Sequence, residues 1–259
     1  MIEYIPNRAA GMNPGKEKPL GGLSSSVLKI LAIVLMVLDH LWATVIPGNN
    51  WMTYLGRIAF PIFAFQLVEG YFHTSDRKRY QKRILITALL SEVPFNLMLM
   101  SSPIFPFHQN VMFTFLLALR AMDGLELIYR EQTGRAAVRG LIRFAACLLL
   151  SVIGFVDYGL TGILTVLAFY AFRCFPLARL GQLASMVLLH IVFFDGQVIP
   201  LSFGSFVWDF PTQGFAVLSL IPIWLYNGEK GQGGKVLKYG AYLFYPIHML
   251  LLYLLRTYL

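Results

Sequence analysis

The chain is poor in charge, in cysteine and in polar sequence. Only 13% of its 259 residues are Asp, Glu, Lys or Arg, against 57% that are hydrophobic, which is too little polar surface for a soluble domain of ordinary composition. Two cysteines, Cys147 inside one apolar run and Cys174 at the end of the next, make no disulfide framework and fit packing thiols. No histidines stand at H-x-x-x-H spacing and no cysteine pair lies near one, so a metal centre is not expected. The glycines of 228 to 234 lack the strand-then-helix setting of a nucleotide fingerprint and suit a flexible loop. No internal repeat is visible, which argues against an inverted-repeat transporter. No cleavable leader is evident either, because the first apolar run is too long for the core of a signal peptide.

What the chain has in abundance is long apolar sequence. Nine runs stand at 27 to 46, 51 to 73, 84 to 101, 111 to 128, 136 to 155, 160 to 175, 178 to 194, 206 to 226 and 240 to 258, and runs of this length cross bilayers as helices. The sixth and seventh, separated mainly by Pro176, fit two helices or one broken helix. The expected fold is all-α, a polytopic transmembrane bundle of about nine helices over 27 to 259, after a flexible cytoplasmic tail at 1 to 26.

The formal charge of +8 is scattered between apolar runs rather than gathered on one soluble face, so nucleic acid is not the implied partner. Its placement alternates instead. Eighteen of the 21 basic residues fall before run one or after runs two, four, six and eight, and the connectors between have none. The positive-inside rule makes the basic side cytoplasmic, with the N-terminus inside and the C-terminus outside. A multi-pass protein of the bacterial cytoplasmic membrane is the expectation. Arg57, Arg120 and Arg256 escape the pattern.

Polar groups inside the apolar runs are costly and normally functional. Asp39 and His40 lie in run one and Arg57 in run two; helical rise puts His40 roughly 20 Å from the inner end and Arg57 roughly 9 Å from the outer end, so both fall in the outer half of the membrane. Asn96 and His190 have similar depth, Glu92 is near the middle, and His248 lies about 12 Å from the inner end of the last run. Asp157 and Asp209 lie near the outer surface. Each has a plainer reading. Asp39 with Arg57 fits a structural ion pair, His190 a packing residue, and Arg120, Asp123 and Glu126 a local helical network. His73 and His108 fall in connectors and suit solvated positions.

Several motifs together resemble a known family. Leu28-Lys29-Ile30 leading to Asp39-His40; Gly56-Arg57-Ile58-Ala59-Phe60-Pro61 through Glu69-Gly70 to His73-Thr74; Ser91-Glu92-Val93-Pro94-Phe95-Asn96; Gln109-Asn110-Val111 with Phe113-Thr114; Asp157-Tyr158-Gly159 with Gly162; and Tyr245-Pro246-Ile247-His248 all resemble the TraX family. The resemblance covers 27 to 259. It implies a relation to a conjugation protein that acetylates the N-terminal amine of pilin. It also implies similarity to polytopic acetyltransferases such as the lysosomal heparan glucosaminide enzyme. That class takes acetyl from cytoplasmic acetyl-CoA and delivers it across the membrane using an intramembrane histidine.

Acyl transfer needs a base for the acceptor proton, an orienting partner and donors for the oxyanion. His40 has the right chemistry for the base, with Asp39 and Arg57 beside it, Arg57 or Asn96 as oxyanion donors and Glu92 as a second acid or base. The loop cations Arg77, Lys78, Arg79, Lys82 and Arg83, with His248, are candidates for holding acyl-CoA, although charge at headgroups explains the loop equally well. Asn110, Asp157, Tyr158 and His190 are candidates for an acceptor peptide N-terminus, sugar or small amine. Two rival readings stay open: a proton-coupled transporter using Asp39, Glu92 and His190, and a non-catalytic partner of a conjugation or secretion machine.

Overall fold

The computed structural model describes residues 20 to 130, 134 to 173, 177 to 193, 196 to 204 and 206 to 258. The tail to residue 19, Cys174, Pro176 and Asp195 lie outside the described residues. Ten α-helices follow in order: α1 (Ser25–Thr44), α2 (Trp51–Gly56), α3 (Ala59–His73), α4 (Arg77–Met100), α5 (Val111–Arg130), α6 (Gly134–Ile153), α7 (Gly159–Ala171), α8 (Ala178–Val187), α9 (Leu220–Trp224) and α10 (Gly234–Tyr258). A π-helical turn, Leu188–Val192, extends α8, and a 3-10 segment, Thr212–Ser219, leads into α9.

The all-α fold agrees with the expectation of about nine helices, but the helices are unequal in length. Four stretches are long and apolar enough to cross a membrane: Ser25–Thr44, Trp51–His73, Arg77–Met100 and Gly134–Ile153. The shorter apolar segments Gly159–Ala171, Ala178–Val192 and Thr212–Trp224 reach only about 20 Å at helical rise, less than the hydrocarbon thickness. Runs six and seven are two separate helices, α7 and α8. Run eight is corrected at its start, where Phe206–Pro211 forms β2, paired antiparallel with β1 (Val198–Phe203). Val207, Trp208 and Phe210 are good strand formers, and apolar content alone does not separate a strand from a helix. The hairpin turns at Gly204, φ +64°.

Run two is broken for a clear reason. Pro61 has no N–H to give the carbonyl of Arg57 four residues earlier, and its ring crowds that carbonyl, so α2 ends at Gly56 and α3 begins afresh. Gly56 meets α1 at that break: a Cβ there would sit 2.4 Å from Cβ of Asp39. The sequence at the break thus brings Arg57 to Asp39.

Large apolar side chains on α1 (Val27, Ile30, Val34) and α6 (Leu141, Ile142, Leu149) point outward and are exposed, the pattern of helices solvated by hydrocarbon. Inside, Leu28, Ile62, Tyr71, Met98, Leu119 and Met249 anchor one continuous core. The start of α1 is tied by backbone hydrogen bonds to the end of α9 and the loop that leads into α10, Leu23 N–H to Leu225 O at 2.9 Å, Asn227 N–H to Leu23 O at 2.9 Å and Ser25 N–H to Glu229 O at 2.8 Å. The two helices therefore leave the same basic end of the bundle.

Candidate functional site

Near the far end of α1 and midway along α10 two imidazoles meet. His40 Nδ1 and His248 Nε2 are 2.8 Å apart, with ring planes only 3° from parallel. His248 Nδ1 lies 3.0 Å from the carbonyl oxygen of Phe244, and a carbonyl can only accept, so Nδ1 carries the hydrogen. In neutral His248, Nε2 is then the acceptor, and His40 Nδ1 donates to it. His40 Nε2 is left with its lone pair free, the form a general base requires.

Beside this pair, Thr53 Oγ1 donates to Asp39 at 2.6 Å and accepts from Arg57 Nη2 at 3.0 Å, while Arg57 Nη2 stands 3.7 Å from Asp39. Asp39 and Arg57 are thus bridged by a hydroxyl rather than bidentately paired. Arg57 Nε is buried without a partner among the described residues, a donor available for a developing oxyanion. Tyr158 and Asp157 lie near enough to act on the Arg57 charge. Tyr158 stacks on Phe60 at 3.9 Å between ring centres, and Gly162 permits this, since a Cβ there would meet Tyr158, Thr114 and Phe60 at 2.7, 2.8 and 3.3 Å.

A second group joins α4 to the start of α5. Asn110 donates to Glu92 at 2.6 Å and to the carbonyl of Ala88 at 2.9 Å, and Asn96 reaches Glu92 at 3.4 Å. Asn96 Oδ1 is buried and unpartnered among the described residues. His108 stands 3.5 Å from Asp157. Its hydrogen bond with Asp157 holds its pKa above the ordinary 6.5 against the opposing pull of burial. His190 belongs elsewhere: fully buried, it bonds Thr165 at 3.0 Å and Gln213 at 3.3 Å, the pattern of a satisfied packing histidine.

Between the basic end and the histidines runs a cavity of about 640 Å³. Its last wall residues on the two helices are Met36, one turn before His40, and Tyr245, one turn before His248. Ile33, Phe63, Leu67, Ile84 and Phe115 make its sides apolar, and Lys29, Arg83, Lys230 and Lys238 line it at the other end. Of the loop cations Arg77, Lys78, Arg79, Lys82 and Arg83, only Arg83 lines this space. Arg77 is committed to Glu126 by two bonds of 2.5 and 2.8 Å and lies over the Tyr71 ring at 3.8 Å. Arg79 pairs with Asp76 at 3.5 Å, and Lys78 and Lys82 are exposed. The α5 acids also bond away from Arg120, which is exposed: Asp123 accepts from Tyr71 at 2.9 Å and Gln81 at 2.6 Å. His73 ends α3 and bonds the Glu69 carbonyl at 2.8 Å, and Glu69 pairs with Arg173 at 2.6 Å.

The geometry joins residues that six separate motifs supply, and comparison with known proteins assigns them to one family. The model of the TraX family, described as TraX protein, matches residues 24 to 256. The chain belongs to the TraX family. A relative from Dichelobacter nodosus, named "Probable fimbrial assembly protein FimC, serogroup H1", is 30% identical over 245 residues, covering 88% of this chain and 94% of its own length. No solved structure matches the chain. For this TraX protein, the Lys29, Lys230 and Lys238 lining was missed at the level of sequence because these lysines carry the same signal as any charge at a membrane surface. The seam between His40 and His248 was missed because it joins residues 208 positions apart. Their similar distance from a lysine on each helix, 11 and 10 positions, was the signal available.

Proposed function

We propose that this TraX protein is an integral membrane acyltransferase that moves an acetyl or other acyl group from acyl-CoA on the cytoplasmic side to an amine or hydroxyl at the outer face of the bacterial cytoplasmic membrane. The observation that carries the reading is the cavity leading from the lysines at the basic end to within one turn of His40 and His248. The basic end is the cytoplasmic one in this reading, by the positive-inside rule.

The chemistry follows from the atoms. A thioester carbonyl at the histidine end of the cavity meets an acceptor amine approaching from the Asp157 side. His40 Nε2 takes a proton from the amine as its nitrogen forms a bond to the carbonyl carbon, and Arg57 Nε and Asn96 supply charge and hydrogen bonds near the oxyanion. The carbon–sulfur bond then breaks, and the departing thiolate takes its proton from His40. Asp39, through Thr53, holds Arg57 in place. Asn110, Glu92, Asp157 and Tyr158 form the acceptor side. The relative's name ties that protein to fimbrial assembly, which supports a peptide N-terminus as the acceptor.

The deciding experiment incubates the purified protein in detergent with labelled acetyl-CoA and an amine-bearing peptide. CoA release and an acetylated peptide by mass are expected, and both are lost in His40→Ala. Substrate flux into liposomes with no covalent product would replace the enzyme by a carrier.

A further inference from the structure

The geometry points to a phosphate cradle at the basic mouth of the cavity, built by Lys29 of α1, Lys230 of the loop between α9 and α10, Lys238 of α10 and Arg83 of α4, which holds the phosphates of a nucleotide-type acyl donor. This rests on the acyltransferase reading and names how the donor is recognised.

The first argument is charge. Lys29, Lys230 and Lys238 line one cavity mouth, Lys230 and Lys238 both near enough for their charges to act on Lys29, and no carboxylate among the described residues pairs with any of them. The acid on the lining, Glu69, is committed to Arg173. Arg83 Nε is buried without a partner among the described residues. Three like charges collected at one opening repel in the free protein, and a polyanion relieves that repulsion. Lys230 and Lys235 are both exposed, but only Lys230 lines the cavity, together with half-buried Lys29 in the first turns of α1.

The second argument is length. Helical rise puts Lys29 about 16 Å from His40 along α1 and Lys238 about 15 Å from His248 along α10. Lys29 and Lys238 line the same cavity, and the two histidines are in contact. Two helices thus carry a cation and an imidazole at nearly the same spacing. That spacing is the reach of a pantetheine arm between the phosphates and the thioester of CoA. The apolar walls between hold no fixed charge for the arm to meet. A membrane lipid offers a phosphate too, but its ester linkages lie close to that phosphate and would not extend to the histidine level.

The mouth is also built to keep its shape. Ser26 Oγ lies against the carbonyls of Lys230 and Gln232, and the Ser26 N–H bonds the carbonyl of Lys230 at 3.1 Å. Gly231, at φ +73°, packs directly on Ser24. Lys230 is thereby pinned beside the start of α1.

The test measures binding of free CoA to the full-length protein in detergent by calorimetry, with no turnover required. Lys230→Gln with Lys238→Gln should weaken CoA on the order of tenfold or more, the loss expected on removing charged hydrogen-bond donors. Lys235→Gln, an equal loss of charge on an exposed neighbour, should leave binding unchanged, and the Lys→Arg pair should retain it. Pantetheine, which lacks phosphate, should bind the wild type and the glutamine pair alike. With acetyl-CoA, the glutamine pair should raise KM and spare kcat. Unaltered CoA affinity in the glutamine pair overturns the cradle, even where acyl transfer is intact. So does displacement of CoA by phosphatidylglycerol micelles at equal phosphate, which would assign the lysines to headgroups. Lysine-dependent CoA binding without any acyl transfer sustains the cradle and sinks the acyltransferase reading alone.

Discussion

In the proposed acyl transfer, His40 and His248 divide one task between two rings. With Phe244 O fixing His248, and His248 fixing His40, the basic nitrogen of His40 faces away from its partner, so the two residues fail differently when replaced. His40→Ala removes the base and should lower acyl transfer by a factor on the order of 100 or more. His248→Gln keeps an acceptor for His40 Nδ1 and should retain part of the rate, whereas His248→Ala frees the tautomer and should cost more in kcat than in KM. Steady-state kinetics of the three variants in detergent check this order, and equal loss in both His248 variants would leave that residue a packing role. His108 gives a pH dependence at the same scale. Its folded pKa is raised by Asp157, so its contribution to stability is fully present below about 6.5 and is lost as pH rises through the higher folded value. Thermal midpoints of the wild type should therefore fall across that window, and His108→Gln should flatten the change. The group is about one-third exposed, so the effect is small.

At the level of elements, α5 and α6 form the most extensive helix pair, and glycine sets their distance. A Cβ on Gly140 would lie 2.6 Å from the carbonyl oxygen of Gly124, and one on Gly124 2.8 Å from that of Gly140. The atoms met are backbone and cannot swing aside. Gly140→Leu should cost about 1 to 3 kcal/mol by forced overpacking, visible as a lower unfolding midpoint in detergent with the histidine pair untouched. This contact also indicates which parts of the fold can be read in advance. Apolar runs locate α1, α4 and α6 well, because length and composition decide a spanning helix. They misplace Phe206–Pro211, since Val207, Trp208 and Phe210 are apolar and strand-forming at once. They also overrun the break at Arg57, which depends on what Pro61 does to a carbonyl four residues back. Asp39, His40 and Arg57 stand out because charge in an apolar run is rare. The share of each cation in the cavity is invisible, because Arg77 and Lys238 differ only in what folds against them: Glu126 in one case, an opening in the other.

For the whole molecule the decisive question is sidedness. The basic end holds the lysine-lined mouth, and the opposite end holds Asp157, Tyr158 and the connector from 101 to 110. If the basic end is cytoplasmic, a cysteine at Gln232 should label only after the membrane is opened, and one at Ser102 should label in intact cells. Labelling of both from one side would undo the proposed orientation. The same asymmetry dictates how the substrates must be presented. A polyanionic donor is drawn to the mouth by its cations and repelled at the acid-bearing end, where Asp157 and Asp39 instead suit an amine. In sealed right-side-out vesicles, acyl-CoA enclosed in the lumen should support acetylation of an external peptide, and external acyl-CoA should not. The dependence should weaken at high salt, because exposed charges are screened within about 10 Å at 0.1 M. Equal activity from either side, or a need for both substrates inside, would mean that the two ends do not feed one centre at His40, and the cavity would have to be assigned to something other than a path across the bilayer.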